Sequence, residues 1–279
     1  MTGGDAFILI IVAAALVFTA RIGWRRWKRA RLMQTPLTDE QRAVLKKRIP
    51  FYSKLPVEHC ARLEGLINRF LDEITLIGQE DLDVTEDVKL VIAAQACLLI
   101  VGRPGRWFQT LKTVLIYPSA FESKIVRYQG HVEQRGGRVH AGESWMRGPV
   151  VLAWDQSLRG ALIDDDGHNV VMHEFAHQLD EATGVSDGAP LLDKDQNAGR
   201  WARVFQDAYE RLQQNVAIGR SSVFDAYGAT APAEFFAVAV ETFFEKPREM
   251  QREEPAVYEE LSKYFGLNPA QWRALEDTI

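Results

Sequence analysis

Cysteine is nearly missing from this chain: two thiols, Cys60 and Cys97, occur in 279 residues. Neither stands in a CxxC pair or beside a histidine, which excludes a disulfide framework and a cysteine metal cluster and leaves two buried thiols among apolar neighbours. An excess of positive charge is lacking too. The chain has 33 Lys and Arg against 38 Asp and Glu, a formal net charge of −5, so the basic stripe of a nucleic-acid-binding surface is not expected. There is no internal repeat and no low-complexity tract, which removes solenoids and disordered tails. What remains, at 47% hydrophobic and 25% charged residues, is material for one large globular domain or two small ones.

Long apolar runs are absent with one exception. Ala6 to Ala20 reads AFILIIVAAALVFTA and is followed by RIGWRRWKRAR. The preceding MTGGD carries no basic residue and no small-x-small cleavage site follows, so the run does not read as a secretory signal peptide. With Trp24 and Trp27 as interfacial residues it reads instead as a short membrane anchor through residues 6–24. Six basic residues lie after the run and Asp5 alone before it, which places the N-terminus outside and the remainder in the cytoplasm. The expectation is a single-pass protein of the bacterial inner membrane with its catalytic domain cytoplasmic; an unanchored cytoplasmic protein is the alternative. The chain then divides into an anchor and basic segment at 1–34, a helical part at 35–105 and a catalytic region at 106–279, the last two packed together.

Beyond the anchor, helical signals dominate, and the fold class is α+β, mostly helical. Thr38 to Gln41 has the T-x-x-Q form of a capping box, and Pro50 stops that helix. From Pro56, Val57, Cys60, Leu63, Ile67, Phe70, Leu71 and Ile74 recur at three- and four-residue steps, the stripe of a core-facing helix. Thr85 can cap EDVKLVIAAQACLLIV, apolar almost all round and therefore central. TVLIYP, KIVRY and PVVLAW are short β-branched runs that suggest a small sheet.

The sheet leads into HEFAHQLD, residues 173 to 180. No proline or glycine interrupts Asn169 to Ala182, and Gly184 is placed to end a helix. Residues four apart share a helix face, so His173 and His177 can point at one ion. Glu174 then projects beside that ion, the right group to take a proton from water. Asp180 falls on the same face, where it could accept the second ring N–H of a ligand. His168 reads with Asn169 as a capping or loop residue, and His59, His131 and His140 have no metal-like spacing. A catalytic zinc needs a third protein ligand. Cysteine is not available, and the H-x-x-G-x-x-H continuation is absent, which leaves a glutamate on a later helix. In FDAYGATAPAEFFAVAVETFFEKP, Glu234 and Glu241 lie two turns apart on about the same face of an otherwise apolar helix. Both could reach the ion, and a buried carboxylate there needs a partner.

HEFAHQLD followed by DAYGATAPAEFFAV resembles the Mlc titration factor A (MtfA) family, zinc aminopeptidase-like bacterial proteins related in their catalytic region to the anthrax lethal factor protease domain. The likeness extends to RIPFYSKLP, VIAAQACLLI and GPVVLAWDQS and covers about Pro36 to Phe265, not the apolar run. It implies a gluzincin-like zinc metallopeptidase domain acting on a peptide or protein substrate. It further implies one Zn2+ per chain on His173, His177 and Glu234, with Glu174 as general base and Tyr227 steadying the transition state. The choice of Glu234 as ligand comes from the resemblance and leaves Glu241, with Asp180, in a supporting place. The family is also known for sequestering a transcriptional repressor of sugar uptake, so a binding module with weak peptidase activity stands as the alternative.

Overall fold

The structure, a computed structural model, describes residues 3–272 apart from residues 120, 124–126, 130–131, 135–137, 141 and 145–147. The first half of the KIVRY run and His131 therefore lie outside the described residues.

The apolar run and the basic segment form one helix, α1 (Gly3–Gln34). Among the described residues no helix is long and apolar enough to cross a membrane, which overturns the expected single-pass anchor and the inner-membrane placement built on it. The reason is length and chemistry. A 15-residue run rises roughly 22 Å as a helix, short of a hydrocarbon core of about 30 Å. The basic segment that follows is held by the folded body, since Lys28 pairs with Asp72 at 2.5 Å and Arg29 with Glu73 at 2.6 Å.

Those acidic partners end α4 (Val57–Glu73), which α1 meets closely because Gly65 has no side chain; a Cβ there would lie 2.4 Å from the Met33 carbonyl oxygen. Between them run α2 (Asp39–Arg48) and α3 (Pro50–Lys54). The capping box at Thr38 and Gln41 is complete, and Pro50, expected as a stop, opens α3 at its first position. Val57, placed at the head of the core stripe, is instead 85% exposed; the buried positions of α4 begin at Leu63. α5 (Glu86–Leu98) is capped by Thr85 and buried at every residue from Leu90 to Leu98, as its all-round apolar sequence demands.

The main sheet has four strands in the order β1 (Thr75–Gly78), β2 (Thr113–Tyr117), β8 (Val150–Ala153), β7 (Gly142–Ser144). β1, β2 and β8 are parallel, and β7 is antiparallel to β8. β3 (Phe121–Ser123) with β6 (Arg138–His140), and β4 (Arg127–Gln129) with β5 (Val132–Gln134), make two nested antiparallel pairs between β2 and β7. α6 (Trp154–Leu162) and α7 (Val170–Asp180) follow β8, and α8 (Ala198–Ala217), α9 (Pro232–Glu245), α10 (Pro247–Glu253) and α11 (Pro255–Phe265) complete the molecule.

One continuous hydrophobic core runs from Leu37 to Leu267, and it fixes the two helices that matter for function. Phe175 of α7 sits between Phe70 of α4 and Phe108, ring centroids 5.8 and 4.9 Å away. On α9, Phe235 and Phe236 pack against Phe205 of α8 at 5.9 and 6.2 Å. With their apolar sides held in this way, α7 and α9 lie against one another and turn their few polar side chains to a common seam.

Candidate metal centre

The N-terminus of α7 is set by Asn169. Its side-chain oxygen accepts from the Met172 N–H at 3.0 Å, its amide donates to the Gly160 carbonyl at 2.9 Å, and its own N–H donates to Glu241 Oε2 at 2.5 Å. The helix is thereby clamped to α6 and α9 at once. Its other end passes through a 3-10 turn, Glu181–Thr183, to Gly184 at φ 91°, a left-handed position that favours glycine.

Between these ends, His173 and His177 bring their Nε2 atoms to 3.3 Å. Glu234, in the first turn of α9 behind Pro232, places Oε2 3.1 Å from His173 Nε2 and 3.4 Å from His177 Nε2. Among the described residues these three offer ligand atoms within 4.8 Å of one another. Glu241, two turns further along α9, faces the other side of the first imidazole, its Oε1 2.7 Å from His173 Nδ1. This separates the two glutamates that helical spacing left equivalent. Glu234 joins the convergent nitrogens, whereas Glu241 accepts a hydrogen bond from Nδ1–H and leaves the His173 Nε2 lone pair directed inward.

The electrostatics fit a cation. Burial alone would lower the pKa of His173, but Glu241, then Glu234 and Glu174, outweigh it and hold the imidazole well above its ordinary value. Burial would raise Glu234, yet the two histidines hold it far below the usual carboxylate range. Two imidazole lone pairs and a carboxylate crowded into a few ångströms need positive charge among them. Two histidines and one glutamate are also a donor set that suits a divalent metal with a position left open for substrate or water.

The remaining expected residues fall around this centre. Glu174 is buried beside His173. Tyr227 lies in a 3-10 turn, Ala226–Ala229, its ring centroid 5.9 Å from that of His173. Asp180 is buried, and its Oδ2 accepts from Gly188 N–H at 2.8 Å and Ser186 Oγ at 3.3 Å, which ties down the loop after α7; burial pushes its pKa up to about 6. The carboxylate on the second ring nitrogen of His173 is Glu241. His168 stays outside the centre, with Nε2 3.9 Å from Asp225 Oδ2.

Two features escaped the sequence. One is the Glu241–Asn169–Gly160 clamp; the asparagine ahead of an apolar helical run signalled a cap, but nothing signalled its second and third partners. The other is Glu245, 4% exposed, whose carboxyl has only the Asn169 side chain and the His168 backbone as nearby donors, neither in close hydrogen-bond geometry. Burial pushes its pKa up to about 9, with the Glu241 and Asp166 charges adding to the shift.

Comparison with known proteins adds kinship. Residues 24–266 match the model of the family described as glucose-regulated metallo-peptidase M90. An uncharacterized protein of Synechocystis is 41% identical over 248 residues, 88% of this chain and 90% of the relative. Mlc titration factor A of Escherichia fergusonii is 33% identical, covering 79% and 84% of the two chains, and that of Salmonella agona is 32% identical, covering 80% and 84%.

Proposed function

Because the chain belongs to the glucose-regulated metallo-peptidase M90 family, with Mlc titration factors A among its relatives, we propose that it is a zinc-dependent peptidase. His173, His177 and Glu234 hold one zinc per chain, and Glu174 is the general base. The observation that carries this reading is the convergence of the three donors within 4.8 Å, with a further carboxylate on the next residue after His173.

Zinc, when bound, supplies a Lewis acid that polarises a peptide carbonyl and acidifies water. The chain does the rest. Glu174 accepts the proton of the attacking water and delivers it to the leaving amine. Glu241 fixes the tautomer of His173, so that Nδ1 carries the proton and Nε2 is free to bind. The Tyr227 hydroxyl donates to the oxyanion as charge develops on it. Half-exposed on its turn (45%), Tyr227 is open to an approaching peptide.

The name of the relatives carries a second reading, in which the chain titrates a partner protein and hydrolysis is secondary. A general base beside the ligand pair serves no purpose in pure binding and favours the peptidase. The test is metal analysis of the full chain together with cleavage of a peptide library before and after chelation. One zinc per chain and chelator-sensitive cleavage are expected; well-folded protein without stoichiometric metal after zinc-replete purification would refute the site.

A further inference from the structure

A cavity of about 290 Å³ lies between the loop before α7, the C-terminal end of α8 with the segment after it, and the start of the turn that carries Tyr227; none of the three candidate ligands lines it. Its floor is apolar, with Leu212, Val216 and Phe224. Its walls carry charge of both signs, and the two carboxylates already hold polar partners. Asp166 pairs with Arg159 at 3.4 Å and accepts from the His168 N–H at 2.9 Å. Asp225 caps the Tyr227 turn, accepting from Tyr227 N–H at 2.7 Å, and stands 3.9 Å from His168. Lys246 and Arg220 also line the cavity, and neither side chain has a hydrogen bond or ion pair among the described residues. The Lys246 ammonium lies over Gly167, where a Cβ would stand 3.1 Å from Nζ. Gly167, at φ 81°, thus provides both the turn and the clearance that let the lysine face inward.

Two uncommitted cations over an apolar floor make a site for an organic anion, since unpaired ammonium and guanidinium groups gain most from a carboxylate that also buries its aliphatic stem. The position relative to the metal centre says which anion. Asp225 on the rim is two residues from Tyr227, roughly 7 Å of chain, and the Tyr227 ring is 5.9 Å from that of His173. Lys246 stands at the end of α9, twelve residues beyond Glu234, about 18 Å along the helix axis, so a peptide with a carbonyl at the metal centre spans that distance in about six residues of extended chain. We propose that this cavity is a specificity subsite that receives a carboxylate of the peptide substrate, held by Lys246 and Arg220; the assignment rests on the peptidase reading. The carboxylate is an Asp or Glu side chain or the free C-terminus.

The experiment uses the full zinc-loaded chain carrying Glu174→Gln, so that bound peptide is not consumed, and titrates it calorimetrically with four matched peptides. They carry Glu or Gln at one internal position and a free or amidated C-terminus. The carboxylate form should bind roughly five-fold tighter than its amide, the range of a solvent-accessible ion pair. The arm showing the preference identifies the source. Lys246→Glu and, separately, the exposed Arg220→Glu should abolish or invert it. Equal affinity for acid and amide forms, a preference that survives both charge reversals, or no binding of any peptide overturns the subsite. Cleavage by the unmutated chain is measured in parallel and keeps the two readings apart. Turnover without charge preference retains the peptidase and removes the subsite, whereas charge-selective binding without turnover retains the subsite and removes the peptidase.

Discussion

At the scale of single residues the site depends on how two carboxylates divide the nitrogens of one histidine. Glu241 accepts from His173 Nδ1 with one oxygen and from the Asn169 N–H with the other. An amide offers one acceptor in place of two, so Glu241→Gln must break one of these contacts. The expected loss in metal affinity is about 10–100-fold, the range for outer partners of metal ligands, measured by chelator competition. Glu234→Ala should cost far more, and the reverse order would exchange the roles of the two. Glu174→Gln keeps the size of the side chain but cannot accept a proton, so metal content should stay while peptide turnover disappears; loss of both together would make Glu174 structural. The histidine pair and Glu174 were legible because a four-residue repeat maps directly onto one helix face. The division of labour between Glu234 and Glu241 was not legible in helical spacing and was expected only from the family resemblance. Seven residues is close to two turns, and only the rotation of α9 against α7, fixed by Phe235 and Phe236 in the core, decides which carboxylate meets Nε2.

At the scale of elements, capping chemistry and all-round apolarity were readable and burial by distant segments was not. Thr38, Thr85 and Asn169 all cap the helices their sequences announce. β1 was not foreseen: TLIG is four residues long and follows directly on the α4 stripe, so Ile74 continues the helical period although the chain has already turned into the sheet. The N-terminal helix shows the opposite failure. Its hydropathy suggested a membrane, while the contact that holds its C-terminal half is a glycine on another helix, which a hydropathy pattern does not record. Gly65→Ala tests that contact. Alanine would improve the helix propensity of α4 by up to about 1 kcal/mol, but its Cβ would meet the Met33 backbone, its carbonyl oxygen at 2.4 Å and Cα at 2.7 Å. Backbone atoms cannot rotate aside as a side chain end would, so overpacking should win, with a net loss of roughly 1–3 kcal/mol. The readout is a lower thermal midpoint, together with easier proteolysis between α1 and α2. An unchanged midpoint would mean that α1 is not seated on α4 through this glycine.

At the scale of the whole molecule, the core that positions the candidate metal centre also buries a carboxyl group that it holds in the protonated, neutral form. Glu245 lies behind Glu241 in α9, with Asp166 near it and only the Asn169 side chain and the His168 backbone as nearby donors. Its pKa is pushed from an ordinary 4.5 up to about 9, chiefly by burial. Between those values the folded chain keeps a proton that the unfolded chain releases, so folding stability must fall as pH rises through this window. The effect is fully absent below about pH 4.5 and complete near pH 9. Glu64 and Glu73, both held low by arginine partners, act in the opposite sense, but their contribution is lost only on acidification below the ordinary carboxylate range. Asp180, pushed up to about 6, acts in the same sense as Glu245 but its share is complete near pH 6, so the slope above that belongs to Glu245 and not to the arginine-paired glutamates. Glu245→Gln removes the titration while leaving a buried amide that still needs partners, a cost of about 1–3 kcal/mol at every pH. The variant should accordingly be the less stable protein near pH 5 and gain on the wild type by a few kcal/mol, in order of magnitude, towards pH 9. Thermal unfolding of both zinc-loaded proteins at half-unit steps from pH 5 to 9 measures that convergence. Parallel curves would show that Glu245 is ionised in the folded state and has found a partner, and the linkage argument would then be wrong.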